Sequence, residues 1–152
     1  MQHTWFFGGV IATAAAFALL EVQIEGGGGW AAGLPTWRSK HPLARLVLGG
    51  REMTGYHLWV HVTILLFAHS AYILGAAPPS WRMEGRILAF LAIFWVLEDF
   101  LWFVFNPAFG VRRFNRACVP WHPRWWGPLP AEYWIFLPFA LLLYFWSVTP
   151  PR

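Results

Sequence analysis

The sequence predicts an all-α integral membrane protein: a single polytopic domain over residues 1–152, built as a bundle of four transmembrane helices. Three observations carry that expectation. Hydrophobic residues make up 58% of the chain and charged residues only 12%, about half the charged share of a soluble domain. Aromatic residues reach 20%, with 12 Trp, more apolar surface than a chain of this length can hide from water. Four stretches are also long enough, or nearly so, to cross a hydrocarbon layer, which takes about 20 helical residues.

Those stretches are residues 5–25, 53–76, 87–105 and 132–148. The first is read as a membrane helix and not a signal peptide. MQHT ahead of it has no Lys or Arg, and the apolar run ends in Glu21-Val22-Gln23-Ile24-Glu25 in place of a small-residue cleavage site. Gly26 to Gly29 then give a flexible or tightly turning exit. His41-Pro42 begins a short interfacial helix. The third stretch stops at Asn106-Pro107, since a residue before proline is pushed out of the helical region. The fourth is the shortest and carries Pro138. The single Cys118 excludes an internal disulfide and any Cys-based metal motif.

Basic residues set the orientation. One side of the bundle holds both long loops and carries Arg38, Lys40, Arg45, Arg51, Arg112, Arg113, Arg116 and Arg124; the other carries Arg82, Arg86 and Arg152. Eight against three places the long loops in the cytoplasm and both termini outside, in a plasma or inner membrane. The net charge of +4 is therefore a topology signal. The basic residues form no continuous tract, so nucleic acid is not an expected partner. Trp30, Trp37, Trp121, Trp125 and Trp126 fall in those loops and read as an interfacial aromatic belt.

The functional signal begins at residues 95–103, WVLEDFLWF, where Glu98 and Asp99 sit inside an apolar run. Antiparallel threading brings them to the same face as Glu21 and Glu25, His57 and His61, His122, and Glu132. Glu21 and Glu25 share a helix face by their four-residue spacing, as do His57 and His61. Charged groups in a bilayer are costly, so such residues face a bundle interior or wet cavity and have partners.

Three compensators are open. The first is a metal. The acids Glu21, Glu25, Glu98 and Asp99 with His57 and His61 form a candidate ligand set, and His122 is a further ligand or proton shuttle. Bundles hold di-iron and di-manganese centres with such side chains, and carboxylate with imidazole suits Fe, Mn or Zn. The spacing departs from the Glu-x-x-His pair usual in those centres. The second is the proton. A buried carboxyl can stay neutral at pH 7, because leaving water disfavours its charged form. A protonated Glu98 or Asp99 beside Trp95 and Trp102 would be a general acid facing aromatic surfaces that stabilise a carbocation. The third is a structural ion pair with Arg51, Arg112 or Arg113. His69 could ligate a haem or chlorin, but a helix-to-helix hydrogen bond is the simpler role. Haem is not expected, since no second buried His stands on another helix for a bis-histidine site.

The tandem acid in an aromatic helix resembles the acidic motif of small integral-membrane carotenoid cyclases. The resemblance is confined to the acids and their neighbours, with Leu97 where those enzymes carry Pro. It implies acid–base chemistry on an isoprenoid.

The favoured expectation is a small membrane metalloenzyme, a hydroxylase- or desaturase-type oxidoreductase. Its site faces the cytoplasm, its substrate is a membrane lipid or hydrophobic small molecule, and Trp95 and Trp102 contact the bound group. The alternatives are a metal-free acid–base isomerase or cyclase of an isoprenoid or sterol-like lipid, and a non-catalytic subunit of a membrane complex. A partner subunit or a homo-oligomer is compatible with each.

Overall fold

The computed structural model describes residues 1–48 and 50–150; Arg152, counted in the charge asymmetry, lies outside them. The chain runs α1 (Gln2–Glu25), β1 (Arg38–Ser39), α2 (Pro42–Val47), β2 (Met53–Thr54), α3 (Gly55–Ala68), α4 (Ser70–Ile73), α5 (Trp81–Phe105), a 3-10 turn at Val111–Arg113, β3 (Trp125–Trp126), β4 (Leu129–Pro130) and α6 (Ala131–Val148). It is mostly helical, and α1, α5 and α6 are each long and apolar enough to cross a membrane.

The second expected span differs from its sequence reading. In place of one helix over residues 53–76, β2 leads into a 14-residue α3, roughly 21 Å of helix at 1.5 Å per residue. A break at His69 and the short α4 follow. His69 makes that break. Its Nδ1 faces the Leu65 carbonyl oxygen at 2.7 Å, and its Nε2 lies 3.1 Å from Glu84 Oε1 on α5. Nδ1 thus engages its own helix, and Nε2 links α3 to α5. The third stretch, expected from residue 87, starts six residues earlier at Trp81, because Ser80 caps the helix and accepts from the Met83 amide at 3.2 Å. Glu84 in the first turn suits the positive end of the helix dipole.

Helix α5 is the centre of the fold. It packs along both α1 and α6, whereas α3 touches it only lightly. The α1 contact is a row of small residues: Val10, Ala14 and Ala18 are fully buried at four-residue spacing. Small side chains let membrane helices approach closely, where dispersion between packed surfaces replaces the missing hydrophobic drive. Ile93 and Phe94 of α5 and Ala140 of α6 complete that core. At the α5–α6 crossing, a Cβ on Gly85 would sit 2.6 Å from the Trp146 ring, so the helices meet at glycine. The outer faces are apolar as well: Ile11 and Leu19 on α1, Trp59 and Phe67 on α3, and Phe139 and Leu142 on α6 are exposed. That pattern suits a hydrocarbon solvent.

The end of the bundle bearing the long loops is covered by them. Trp102 and Phe103 of α5 pack with Ala18 and Val22 of α1 and with Val119 from the α5–α6 loop. Asn106, just past α5, donates through Nδ2 to the Gly26 carbonyl at 2.8 Å, pinning the ends of α1 and α5 level. Two short antiparallel ribbons organise the loops. Arg38 pairs with Thr54 and Ser39 with Met53, so the α1–α3 loop is fastened to the start of α3. Trp125 pairs with Pro130 and Trp126 with Leu129 ahead of α6.

Candidate functional site

Because α3 stands off α5 and α6, the bundle encloses a cavity of about 500 Å³ at the loop end. Glu21 and Glu25 of α1, His57 and His61 of α3, Trp95, Glu98, Asp99 and Trp102 of α5, and Glu132 and Tyr133 of α6 all line it. Every membrane-embedded acid and histidine named as a ligand from the sequence therefore reaches one cavity. The other end of the cavity is apolar, lined by Leu88, Leu91, Ala92, Phe136 and Phe139. Leu88, Phe136 and Phe139 are also exposed on the outer surface, so this end opens sideways toward the lipid-facing side. A second, more open groove of about 470 Å³ beside α3 is lined by Phe17, Trp37 and Trp59 but by no ionised side chain; the chemistry-bearing groups belong to the first.

Three polar clusters form the loop end of the cavity. In the first, Thr54 caps α3: its Oγ1 accepts from the His57 amide at 3.1 Å and lies 2.7 Å from His57 Nδ1. His57 Nε2 points toward Glu25 Oε1 at 3.6 Å. Glu25 accepts from the Ala31 amide at 2.6 Å, and Trp30 stacks on the His57 ring at 3.9 Å. The loop turns through Trp30 and Ala31 with φ of 45° and 52°. Left-handed backbone at non-glycine residues costs about 1–3 kcal/mol each and concentrates at functional sites. The turn aims one indole and one amide at the His57–Glu25 pair. Arg51 lies 4.9 Å over the other side of Trp30.

In the second cluster, Asp99 accepts a short hydrogen bond from the Tyr133 hydroxyl. His122 is 2% exposed and presents Nε2 3.0 Å from Asp99, without hydrogen-bond alignment. Arg51 donates to His122 Nδ1 at 2.9 Å, which makes Nδ1 the acceptor and leaves the ring proton on Nε2. The chain Arg51–His122–Asp99–Tyr133 thus joins both long loops to α5 and α6. His122 sits behind the cavity wall.

The third cluster faces the open volume. Tyr56 donates to Glu21 Oε1 at 2.9 Å. Glu98 is 4% exposed, and its Oε1 has no protein partner; nor has either carboxyl oxygen of Glu132. The His61 ring stacks on Trp95 at 4.2 Å. Its Nδ1 lies 2.6 Å from the His57 carbonyl, and a carbonyl only accepts, so Nδ1 carries the proton and Nε2 keeps a lone pair.

The sequence reading brought out the acids and histidines but not their partners. Trp30, assigned to an interfacial belt, stacks on a site histidine, and the hydroxyls of Tyr56 and Tyr133 carry no sequence signal as partners of an acid. Tyr56 stands one residue before His57 and Tyr133 one residue after Glu132, but helical spacing alone does not say which turn meets an acid on another helix. Phe105, at helical spacing from Trp95, Glu98 and Trp102, turns outward. Among the described residues, no three His, Cys, Asp or Glu side chains stand together as a ready metal-ligand group. The candidate ligands line one wall-to-wall space and do not converge on a point. No protein-family model matches the chain, and neither a curated protein nor a solved structure is detectably similar to it.

Thr54 couples fold to site. Thr54→Ala removes the α3 cap and the anchor of His57 together and is expected to lower stability by about 1–2 kcal/mol. Thr54→Ser is expected to restore most of it. Thermal unfolding of the three proteins in one detergent checks the order.

Proposed function

We propose that this protein is a small integral-membrane enzyme that moves a proton on an alkene-bearing lipid of isoprenoid or sterol-like character. The observation that carries the reading is the pairing of two free groups in one half-apolar cavity: Glu98 with an unpartnered oxygen, and His61 with a free Nε2 lone pair. Glu98 in its acid form gives its proton to one alkene carbon. The cation so formed on the neighbouring carbon lies among Trp95, Trp102 and the remaining carboxylates, where ring faces attract positive charge. His61 Nε2 takes a proton from the next carbon, and the double bond has shifted with no net change in composition. Solvent at the loop end returns the proton from His61 to Glu98. Asp99, already accepting from Tyr133 and facing His122, stays the fixed negative charge. The sideways opening past Leu88, Phe136 and Phe139 admits the substrate from the bilayer.

Four crossings with the long loops in the cytoplasm complete the reading. The support is the basic excess in those loops. Cys118, the single cysteine and exposed in the α5–α6 loop, tests it without mutagenesis. A membrane-impermeant maleimide is expected to spare Cys118 on intact cells and to label it after lysis; labelling of intact cells reverses the orientation.

The chemistry is tested by deuterium. Membranes holding the wild-type protein are incubated in D2O and their lipids extracted. A lipid species carrying carbon-bound deuterium is expected, with incorporation reduced roughly 100-fold or more in Glu98→Gln and in His61→Gln, the scale of general acid–base catalysis. Incorporation equal to wild type in both variants rejects the assignment.

A second reading rests on the same free donors. Glu98, Glu132 and His61 offer two carboxyls and an imidazole with unfilled valences, and carboxylate with imidazole suits Fe, Mn or Zn. His57 could join through Nε2 and Glu21 through Oε2 with their bonds to Thr54 and Tyr56 kept. Such an ion would supply Lewis-acid or redox chemistry to the same lipid. Elemental analysis of detergent-purified protein beside a Glu98→Ala/His61→Ala variant decides it: one or two equivalents of metal, lost in the variant, are expected on this reading and not on the first.

A further inference from the structure

Among the described residues, the buried free acceptors of the cavity outnumber its buried free donors, which are Trp102 Nε1 and Arg51 Nε. Glu98 Oε1 and both oxygens of Glu132 are buried atoms without a partner, and the ring proton of His61 is committed to the His57 carbonyl, so its Nε2 faces the cavity as a lone pair. These four atoms accept and do not donate when the carboxyls are ionised. Of the two guanidinium groups among the lining residues, that of Arg51 is already engaged, donating to His122 and lying over Trp30. Glu98 is a nine-tenths-buried polar side chain aimed into the cavity with a bond unmade, and a buried acceptor left unsatisfied costs about 1–3 kcal/mol. A ligand that fits must bring donors and positive charge to this end. It must bring hydrocarbon to the other, against Leu88, Leu91, Ala92, Phe136 and Phe139.

We infer that the cavity binds a lipophilic primary amine, its ammonium group at the loop end, where Glu98, Glu132 and His61 offer acceptors, and its hydrocarbon chain leaving past Leu88, Phe136 and Phe139. An ammonium carries three donors and no acceptor, matching the acceptors that face it. Trp95 and Trp102 line the same end, and indole faces add cation–π attraction. The volume of about 500 Å³ lies within the range of small-molecule sites, and the lateral opening leaves a longer tail in the bilayer. The inference deepens the proton-transfer reading, since an ammonium carries the charge of the cation formed there, but it needs no turnover to be seen.

The test uses the full chain in phosphatidylcholine nanodiscs. Oleylamine and oleyl alcohol, equal in hydrocarbon, are titrated separately while intrinsic Trp fluorescence is recorded. Oleylamine is expected to give a saturable change at a mole fraction at least tenfold below that of the alcohol. Glu132→Gln, whose residue is only part-buried, is expected to weaken the amine several-fold, and Glu98→Gln/Glu132→Gln to erase the preference. Equal responses to amine and alcohol overturn the inference. So does a preference that survives in the double variant, which would mark adsorption at the nanodisc surface, or a double variant that no longer folds while Glu132→Gln binds amine as tightly as wild type. Displacement of the amine by micromolar Mn2+ also overturns it, in favour of an inorganic cation. The outcome is separable from that of the deuterium experiment: proton incorporation without amine preference removes this inference alone, and amine binding without incorporation removes the proton-transfer reading alone.

Discussion

Hydrocarbon supplies no hydrogen-bond donor, so each carboxyl carried into the bundle must find one inside the protein or keep a proton of its own. The arrangement of the loop end follows from this constraint. Asp99 is served by Tyr133 and faces His122, Glu25 by the amide of Ala31, and Glu21 by Tyr56. Each donor comes from a different element: α6 and the α5–α6 loop, the α1–α3 loop, and α3. The acids thus act as the points at which the helices and loops are tied together. Glu98 and Glu132 are the exceptions, and their unfilled oxygens face the cavity.

The cavity exists because the two halves of the bundle pack by different means. Alanines on α1 and glycine on α5 let α1, α5 and α6 close on one another. Helix α3 is short, ends at His69 and presents aromatic and imidazole rings to α5, and rings hold helices farther apart than methyl groups do. Its position is set largely at its ends. Thr54 and the β1–β2 ribbon fasten one end, and the His69–Glu84 link fastens the other. A helix held at its ends and loosely packed along its length leaves room for a guest without loss of fold.

The loops do more than cap the bundle. Arg51 reaches both Trp30 and His122, so one guanidinium touches the indole that covers His57 and the imidazole that faces Asp99. A planar, permanently charged group with five donors suits that double role better than lysine would. The left-handed turn at Trp30 and Ala31 is held by this contact, by Trp30 Nε1 donating to the Glu52 carbonyl at 2.8 Å and by Arg38 donating to the Ala31 carbonyl at 2.6 Å. Strain in the loop is offset by bonds that also orient the site.

Composition and run length alone determined the apolar helical character, the C-terminal ends of α1 and α5, both ends of α6 to within a residue, and the end of the bundle at which acids and histidines collect. These follow from one-dimensional facts: apolar length, a terminating Asn106-Pro107, and the alternation of helix direction. The start of α5 at Trp81, set by the Ser80 cap, lies six residues ahead of its expected place. The break in the second apolar run was not legible, because it depends on Glu84 of another helix meeting His69. Nor was the division of labour among the acids. Glu98 and Asp99 are neighbours in sequence and chemically alike, and only tertiary contacts separate them. One hundred degrees of helical rotation turns Asp99 toward Tyr133 and His122 and leaves Glu98 with an oxygen free. The sequence therefore decided that charge would be buried and where along the bilayer normal. The packing of helices around α5 decided which charge is satisfied and which is left to act.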